Sequence, residues 1–288
     1  MDTTVASEAE RLRRRLWGVA YRMTGTVQDA DEVVQDCFLR LLERPPADTG
    51  RPLDGWMVTV ALNLSRDRLR RRQREAYLGP WLPAPVPDNR LADEALMMRE
   101  TASWAFLRAA EALSPTQRAV FLAREVLELS SAETAAALGS SPGAVDVALH
   151  EARARLGKPP KRPRKRDDAV VLAFLGALQL GLTGAATRLL HPNAVALNDG
   201  GGVVQAARVP VRGAGKIVTF FRRLQRQYPA GVRWRLQRCN GALTVVGEHR
   251  DPRLRGRKPN RFTLICEVES GQICTLWSQL VPAKLAHL

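Results

Sequence analysis

Pro80, Pro83, Pro85 and Pro87 fall within one short stretch, Gly79-Pro80-Trp81-Leu82-Pro83-Ala84-Pro85-Val86-Pro87. No helix passes through it, because each proline lacks an amide donor and biases its predecessor away from the helical region. A second break, Lys158-Pro159-Pro160-Lys161-Arg162-Pro163-Arg164-Lys165-Arg166, is helix-breaking and strongly basic. It reads either as a solvated charge run or as a direct contact to nucleic acid. The two breaks divide the 288 residues into blocks 1–78, 93–157 and 169–288, joined by linkers 79–92 and 158–168. Each block is long enough for a small core of its own.

The first block reads as helices over residues 8–23, 29–43 and 53–74, with Asp54 as the expected N-cap of the third. In the second helix Ala30, Val33, Val34, Cys37 and Leu41 form one apolar stripe, while Asp31 and Gln35 share another face. Such an acidic-polar face repels phosphate and suits a protein partner. The third helix starts apolar at Trp56 and ends in a dense arginine run, Arg66-Asp67-Arg68-Leu69-Arg70-Arg71-Arg72, suited to nucleic acid. About half of these arginines are expected to be solubilising charge only, with Asp67 orienting Arg70 or Arg71.

The second block reads as helical again. Ser114-Pro115 is a capped helix start, a short helix follows from Ala132 to a stop at Gly139, and Ser141-Pro142 opens a last helix to Leu156. Short helix, glycine turn and capped helix make a helix-turn-helix pattern. Val145, Ala148, Leu149, Ala152 and Leu156 are its expected core face. Gly143, Val147, His150 and Ala154 point outward, flanked by Asp146 and Arg153 on one edge and Ala144 and Arg155 on the other.

Charge agrees with a polyanion partner: 44 Lys+Arg against 29 Asp+Glu leave +15, with a pI near 10.8. An anionic membrane surface would feel the same field. The N-terminus lacks the basic-then-apolar order of a secretory signal, and the longest apolar run, residues 170–182, is too short to span a bilayer. A cytoplasmic protein without membrane contact is expected. Cys37, Cys239, Cys266 and Cys274 have neither C-x-x-C spacing nor histidines at zinc-ligand spacing, so reduced thiols and no metal or cofactor are expected.

The acidic helix followed by the tryptophan-arginine helix resembles region 2 of extracytoplasmic-function sigma factors, and Leu113-Ser114-Pro115-Thr116-Gln117-Arg118 with its helix-turn-helix resembles sigma region 4. The resemblance implies that Asp29, Asp31, Glu32, Gln35 and Phe38 grip core RNA polymerase. It implies that Trp56, Asn63, Arg66, Arg70 and Arg71 engage the minus-10 element of promoter DNA, and that Ser141, Gly143, Val147, His150 and Arg153 meet the minus-35 element. Asp146 stands where many relatives carry a basic residue, which leaves base preference open; an aspartate can accept from a cytosine amine.

The third block reads as one or two helices over 169–190, a strand over 194–198 and a glycine turn, Asp199-Gly200-Gly201-Gly202. A second strand through Val211, a helix over 215–228 and strands near 232–238, 242–246, 261–269 and 273–280 follow. Asn240-Gly241 and Ser270-Gly271 are the hairpin turns. The expected class is therefore multi-domain, two all-α domains followed by an α+β cone with a curved antiparallel sheet. This last domain resembles the SnoaL-like domain fused to some of these sigma factors. The likeness rests on Trp81-Leu82-Pro83-Ala84-Pro85, Asp199-Gly200-Gly201-Gly202-Val203 and Val281-Pro282-Ala283-Lys284-Leu285, in which Ala84, Val203 and Ala283 replace charged residues.

The resemblance implies regulation in cis through Trp81, Pro83, Asp199, Gly200, Gly201, Lys284 and Leu285. With those charges lost, the contact is expected to be mainly apolar. Trp81 reads either as packed on the nearest helix or as a regulatory dock. SnoaL-like cones also include enzymes that transfer protons with an aspartate and a histidine, and His191, Asp199 and His249 are the candidates here; no spacing converges them, and no catalysis is expected. The alternative to a sigma factor is a free-standing helix-turn-helix regulator whose cone senses an unknown small ligand.

Overall fold

A threonine starts the acidic helix: Thr26 Oγ1 accepts from the backbone N–H of Asp29, and the Thr26 hydroxyl donates to the Asp29 carboxylate at 2.6 Å. The computed structural model describes residues 3–46, 53–91, 101–157, 165–228, 231–249 and 258–288. Two compact units emerge, one of residues 1–76 and 91–160, the other of 77–90 and 161–288. The basic linker lies largely outside the described residues.

In the first unit α1 (Thr3–Thr24), α2 (Val27–Glu43) and α3 (Leu53–Arg74) pack together, burying Leu16, Val19 and Met23 with Val33, Val34, Cys37, Met57, Ala61 and Leu62. Burial pushes the Cys37 thiol up to about 12, so it stays protonated. Asp54 is not the N-cap of α3. It stands inside the first turn, and its carboxylate lies 3.2 Å from Arg11 and 3.6 Å from Arg15 of α1.

Downstream are α4 (Trp104–Ala110) and α5 (Pro115–Phe121), the latter opened by a capping box between Ser114 and Gln117 and continued by a π-helical turn, Leu122–Val126. Then α6 (Ser131–Leu138) ends at Gly139, whose φ of 64° needs no Cβ, and α7 (Pro142–Leu156) is capped by Ser141. Two arginines are buried here. Arg118 Nε donates to the Arg22 carbonyl at 2.8 Å, and Arg22 Nε donates to Thr101 Oγ1 at 2.9 Å.

The second unit is a mixed six-stranded sheet in the order β2-β1-β6-β5-β4-β3, with β1 (Leu190–Asp199) parallel to β6 (Gln272–Gln279) and the other pairs antiparallel. The fully antiparallel sheet expected from the sequence is corrected at that one pair. The remaining strands are β2 (Val211–Arg212), β3 (Val232–Cys239), β4 (Ala242–His249) and β5 (Arg261–Glu269). Both hairpin turns have positive φ at two successive residues: Asn240 52° and Gly241 75°, Ser270 49° and Gly271 81°. The strand expected through Val211 is only two residues, because the glycine loop folds back and Gly200 O accepts from both Val203 N and Val204 N.

Helices α8 (Lys165–Gln179), α9 (Thr183–Arg188) and α10 (Ala214–Gln227) cover one face of the sheet. Phe174, Leu178, Ile217 and Val218 pack there on Ala194, Ala196, Val245, Leu264 and Leu276. The other face carries the proline segment and the tail helix α11 (Pro282–Leu285). Leu82, Ala84 and Val86 are fully buried, Val86 exchanges hydrogen bonds with Asn240, and Arg261 donates to the Leu285 carbonyl. The expected extended linker is thus a strap on the second unit, with residues 82–86 all buried.

Candidate protein, nucleic-acid and strap contacts

The acidic residues of α2 divide into two rows. Asp29, Glu32 and Asp36 face Arg68 of α3, with Arg68 Nη2 2.8 Å from Asp36 and Nη1 3.7 Å from Asp29 and hydrogen-bonded to Glu32. Asp29 and Glu32, expected to meet polymerase, are therefore occupied within the unit. A guanidinium between three carboxylates on a neighbouring helix offsets their mutual repulsion. Asp31, Gln35, Leu39 and Leu42 form the exposed row, with Asp31 also accepting from Trp17 Nε1 at 2.7 Å. Phe38 is half-buried under the Arg13 guanidinium, 5.1 Å away. Leu39 and Leu42 were missed in the sequence reading, although they continue the Asp31/Gln35 spacing; Leu42 is 80% exposed.

Hydrogen bonds from Gln28 and Arg68 hold Glu32 below the usual carboxylate range. Its folded pKa is lowered, so the stabilisation is present above the unfolded value of about 4.3 and is lost as pH falls through the folded one. Acid titration followed by far-ultraviolet circular dichroism should show a shallower loss of helix in Glu32→Gln than in the parent. Superimposable curves would contradict the linkage.

The arginine face of α3 also divides. Arg68 is used as above, and Arg72 donates to the Thr24 carbonyl and lies 3.2 Å from Glu111, so both are structural. Arg70, Arg71 and Arg74 are exposed, with Asp67 3.7 Å from Arg70. Trp56 is half-buried.

Asn63 and Arg66 are not turned to solvent. Asn63 Nδ2 donates to the Ala137 carbonyl at 2.7 Å and to Thr59 O at 3.0 Å, and Arg66 Nη1 donates to the Leu138 carbonyl at 2.9 Å. Carbonyls in the last turn of a helix lack intrahelical partners and carry the negative end of its dipole. The two side chains expected on promoter DNA instead cap the first helix of the helix-turn-helix.

On α7 Val145, Leu149 and Ala152 are buried, and Gly143, Val147, His150 and Ala154 are exposed. Ser141 Oγ accepts from Ala144 N, so its side chain is a cap. Arg153 pairs with Glu125, Arg155 donates to Gln117, and Asp146 accepts from Ser131 Oγ at 2.6 Å. Asp146 thus braces α6 on α7.

In the second unit one carboxylate gathers the strap, the glycine loop and the tail. Asp199, fully buried at the end of β1, accepts from Tyr77 Oη at 2.5 Å, Leu82 N at 2.8 Å, Gly201 N at 3.0 Å, Gln279 Nε2 at 3.0 Å and Lys284 Nζ at 2.8 Å. Lys284 Nζ also donates to the Leu82 carbonyl at 2.7 Å and lies 4.2 Å from the centre of the half-buried Trp81 ring. Pro83 is buried, and its carbonyl accepts from Gln279.

A Cβ on Gly201 would come within 2.9 Å of Val281 and 3.2 Å of Tyr77, and one on Gly200 within 2.7 Å of the Val204 carbonyl. These positions need glycine. Leu285 is buried beside the network. The mainly apolar contact expected from the sequence is corrected: a buried ion pair centres it, because the charges lost at Ala84, Val203 and Ala283 are not the ones it uses. Tyr77 and Gln279 were missed, having no local signature.

His191, Asp199 and His249 do not converge. His191 and Asp199 stand at opposite ends of β1, about 25 Å apart at strand rise. The register puts Asp199 on the face shared by Gln279, Thr263 and Val246, and His249 on the other. His249 stacks on Tyr228 at 3.7 Å, and burial pushes its pKa down.

Residues 9–75 match the family Sigma-70 region 2, and residues 103–156 match Sigma-70, region 4. The ECF RNA polymerase sigma factor SigJ of Mycobacterium tuberculosis is 33% identical over 96% of this chain and 92% of its own length. This chain belongs to the extracytoplasmic-function sigma factors. As a sigma factor of this family it directs transcription, and the family implies core RNA polymerase and promoter DNA as partners. The crystal structure of SigJ covers 97% of both chains at 30% identity with a TM-score of 0.74, so the likeness includes the α+β domain. SigG of the same organism is 34% identical over 52% of this chain. Among the described residues no helix of this sigma factor is long and apolar enough to cross a membrane.

Proposed function

We propose that this sigma factor binds core polymerase through the exposed row Asp31, Gln35, Leu39 and Leu42, with Phe38 at its edge. The minus-10 element is engaged and opened by Arg70 and Arg71 together with Asn63 and Arg66, and Gly143, Val147 and His150 of α7 are presented to the minus-35 groove. The observation that carries this reading is the division of exposed charge in the first unit. An acidic-apolar row on α2 and an arginine row on α3 are separated by the internal Arg68 pairs. Asn63 and Arg66 reach DNA only after α3 releases the carbonyls of α6, so promoter opening includes parting of these two helices.

The second unit, strap included, regulates both sigma regions in cis through the Asp199 network. This unit holds 23 Lys+Arg against 8 Asp+Glu, the whole net charge of +15, and the first unit is balanced at 21 of each. Long-range attraction to DNA therefore comes from the α+β unit, and the sigma regions supply local contacts.

Permanganate footprinting of a minus-10 region with reconstituted holoenzyme tests the assignment of α3. The variant Arg70→Ala, Arg71→Ala is expected to lose melting while still binding core, with the salt slope of promoter binding reduced by about 0.7 to 0.9 per lost phosphate contact. Normal melting by this variant would remove the DNA-facing role of α3.

A further inference from the structure

A cavity of about 280 Å³ opens at the end of β1 within the second unit, lined by Asn198, Val204, Ala206 and Arg208 with Leu78 and Gly79 of the strap. Asn198 shares the helix-covered face of β1 with Ala194 and Ala196, facing away from the Asp199 network. It is 4% exposed, and its Nδ2 has no hydrogen-bond partner. A buried amide donor left unmade is costly, and such a group at a cavity wall marks a place where an acceptor belongs. Arg208, exposed on the same wall, supplies a guanidinium in a unit whose charge is strongly positive. Leu78, Val204 and Ala206 add an apolar surface, and Gln205 a further polar side chain.

We propose that this cavity binds a small monocarboxylate with a short apolar body, its carboxylate between Asn198 Nδ2 and Arg208. At about 30 Å³ per water the space takes about nine water-sized groups, the size of a ligand of about ten heavy atoms. The ligand touches the strap as well as the glycine loop. A Cβ on Gly202 would lie 2.9 Å from Leu78, and one on Gly79 would lie 3.7 Å from the Arg208 backbone, so strap and loop are in contact beside the cavity. Occupancy would therefore report on the same strap that Asp199 and Lys284 hold. Binding itself does not rest on the sigma-factor reading, since every residue involved lies in the second unit.

Saturation-transfer difference NMR on the full chain tests this with phenylacetate as probe, phenylacetamide as its neutral isostere and inorganic phosphate as a competing anion. Phenylacetate is expected to saturate with a Kd of about a millimolar, and phenylacetamide to bind about tenfold more weakly. Arg208→Gln, an exposed change that leaves the core untouched, should weaken phenylacetate about tenfold and remove the preference over the amide. Asn198→Leu should do the same if it folds. No saturable phenylacetate signal, equal affinity for the amide, full binding by Arg208→Gln, or displacement by equimolar phosphate would each overturn the assignment.

Discussion

Replacing Lys284 with methionine is expected to destabilise the α+β unit by about 3–5 kcal/mol, the usual consequence of leaving one member of a buried ion pair without the other. Asp199 is fully buried and Lys284 8% exposed, and the pair is 2.8 Å apart, so solvent cannot replace the lost ammonium. The remaining donors, Tyr77, Leu82, Gly201 and Gln279, satisfy hydrogen bonds but carry no charge. The double variant Asp199→Asn, Lys284→Met should recover part of that loss, because both charges then leave together while the new amide nitrogen faces backbone or side-chain N–H donors it cannot accept from. Urea unfolding of the full chain, followed through tryptophan fluorescence, reads both effects. A loss below about 1 kcal/mol in the single variant, or no recovery in the double, would mean that the pair is solvated and does not hold the strap. Because the pair is buried, the loss should change little between low and high salt.

The strap shows where sequence reasoning ran out. Its prolines excluded a helix and left an extended linker, in which Trp81 was the one residue that asked for cover; that residues 82–86 are all buried was not legible. Asp199 and Lys284 were visible through the glycine loop and the tail; Tyr77 and Gln279 were not, because they lie 122 and 80 residues from Asp199 in the chain and carry no local signature. Helices α2, α3 and α7 were legible because their apolar residues recur at helical spacing, which is a local property. Which arginines of α3 face inward was not legible. Arg68 and Arg72 differ from Arg70 and Arg71 only in the carboxylates that tertiary packing puts opposite them. The same limit explains Asn63 and Arg66: their acceptors are backbone carbonyls, which leave no mark in the sequence.

Core binding should respond as strongly. The variant Asp31→Arg, Gln35→Ala is expected to weaken association with core polymerase at least a hundredfold, since truncating a buried interface anchor commonly costs about 2 kcal/mol or more. Leu39→Ser, Leu42→Ser should act in the same direction through lost apolar contact, and neither pair touches the Arg68 cluster or the packed interior of α2. Unchanged fold by circular dichroism with lost co-purification is the expected outcome. Retained co-purification in both variants would move the polymerase contact off this row.

The central claim, that this chain works as a promoter-selecting subunit of RNA polymerase, is tested most directly by run-off transcription with reconstituted core polymerase on genomic promoter fragments. The account predicts transcripts from a restricted set of promoters when the chain is added, none from core alone, and none with Asp31→Arg, Gln35→Ala. If the intact chain binds those fragments yet supports no transcription with any of them, and does not co-purify with core, it is a free-standing DNA-binding regulator and the account is wrong.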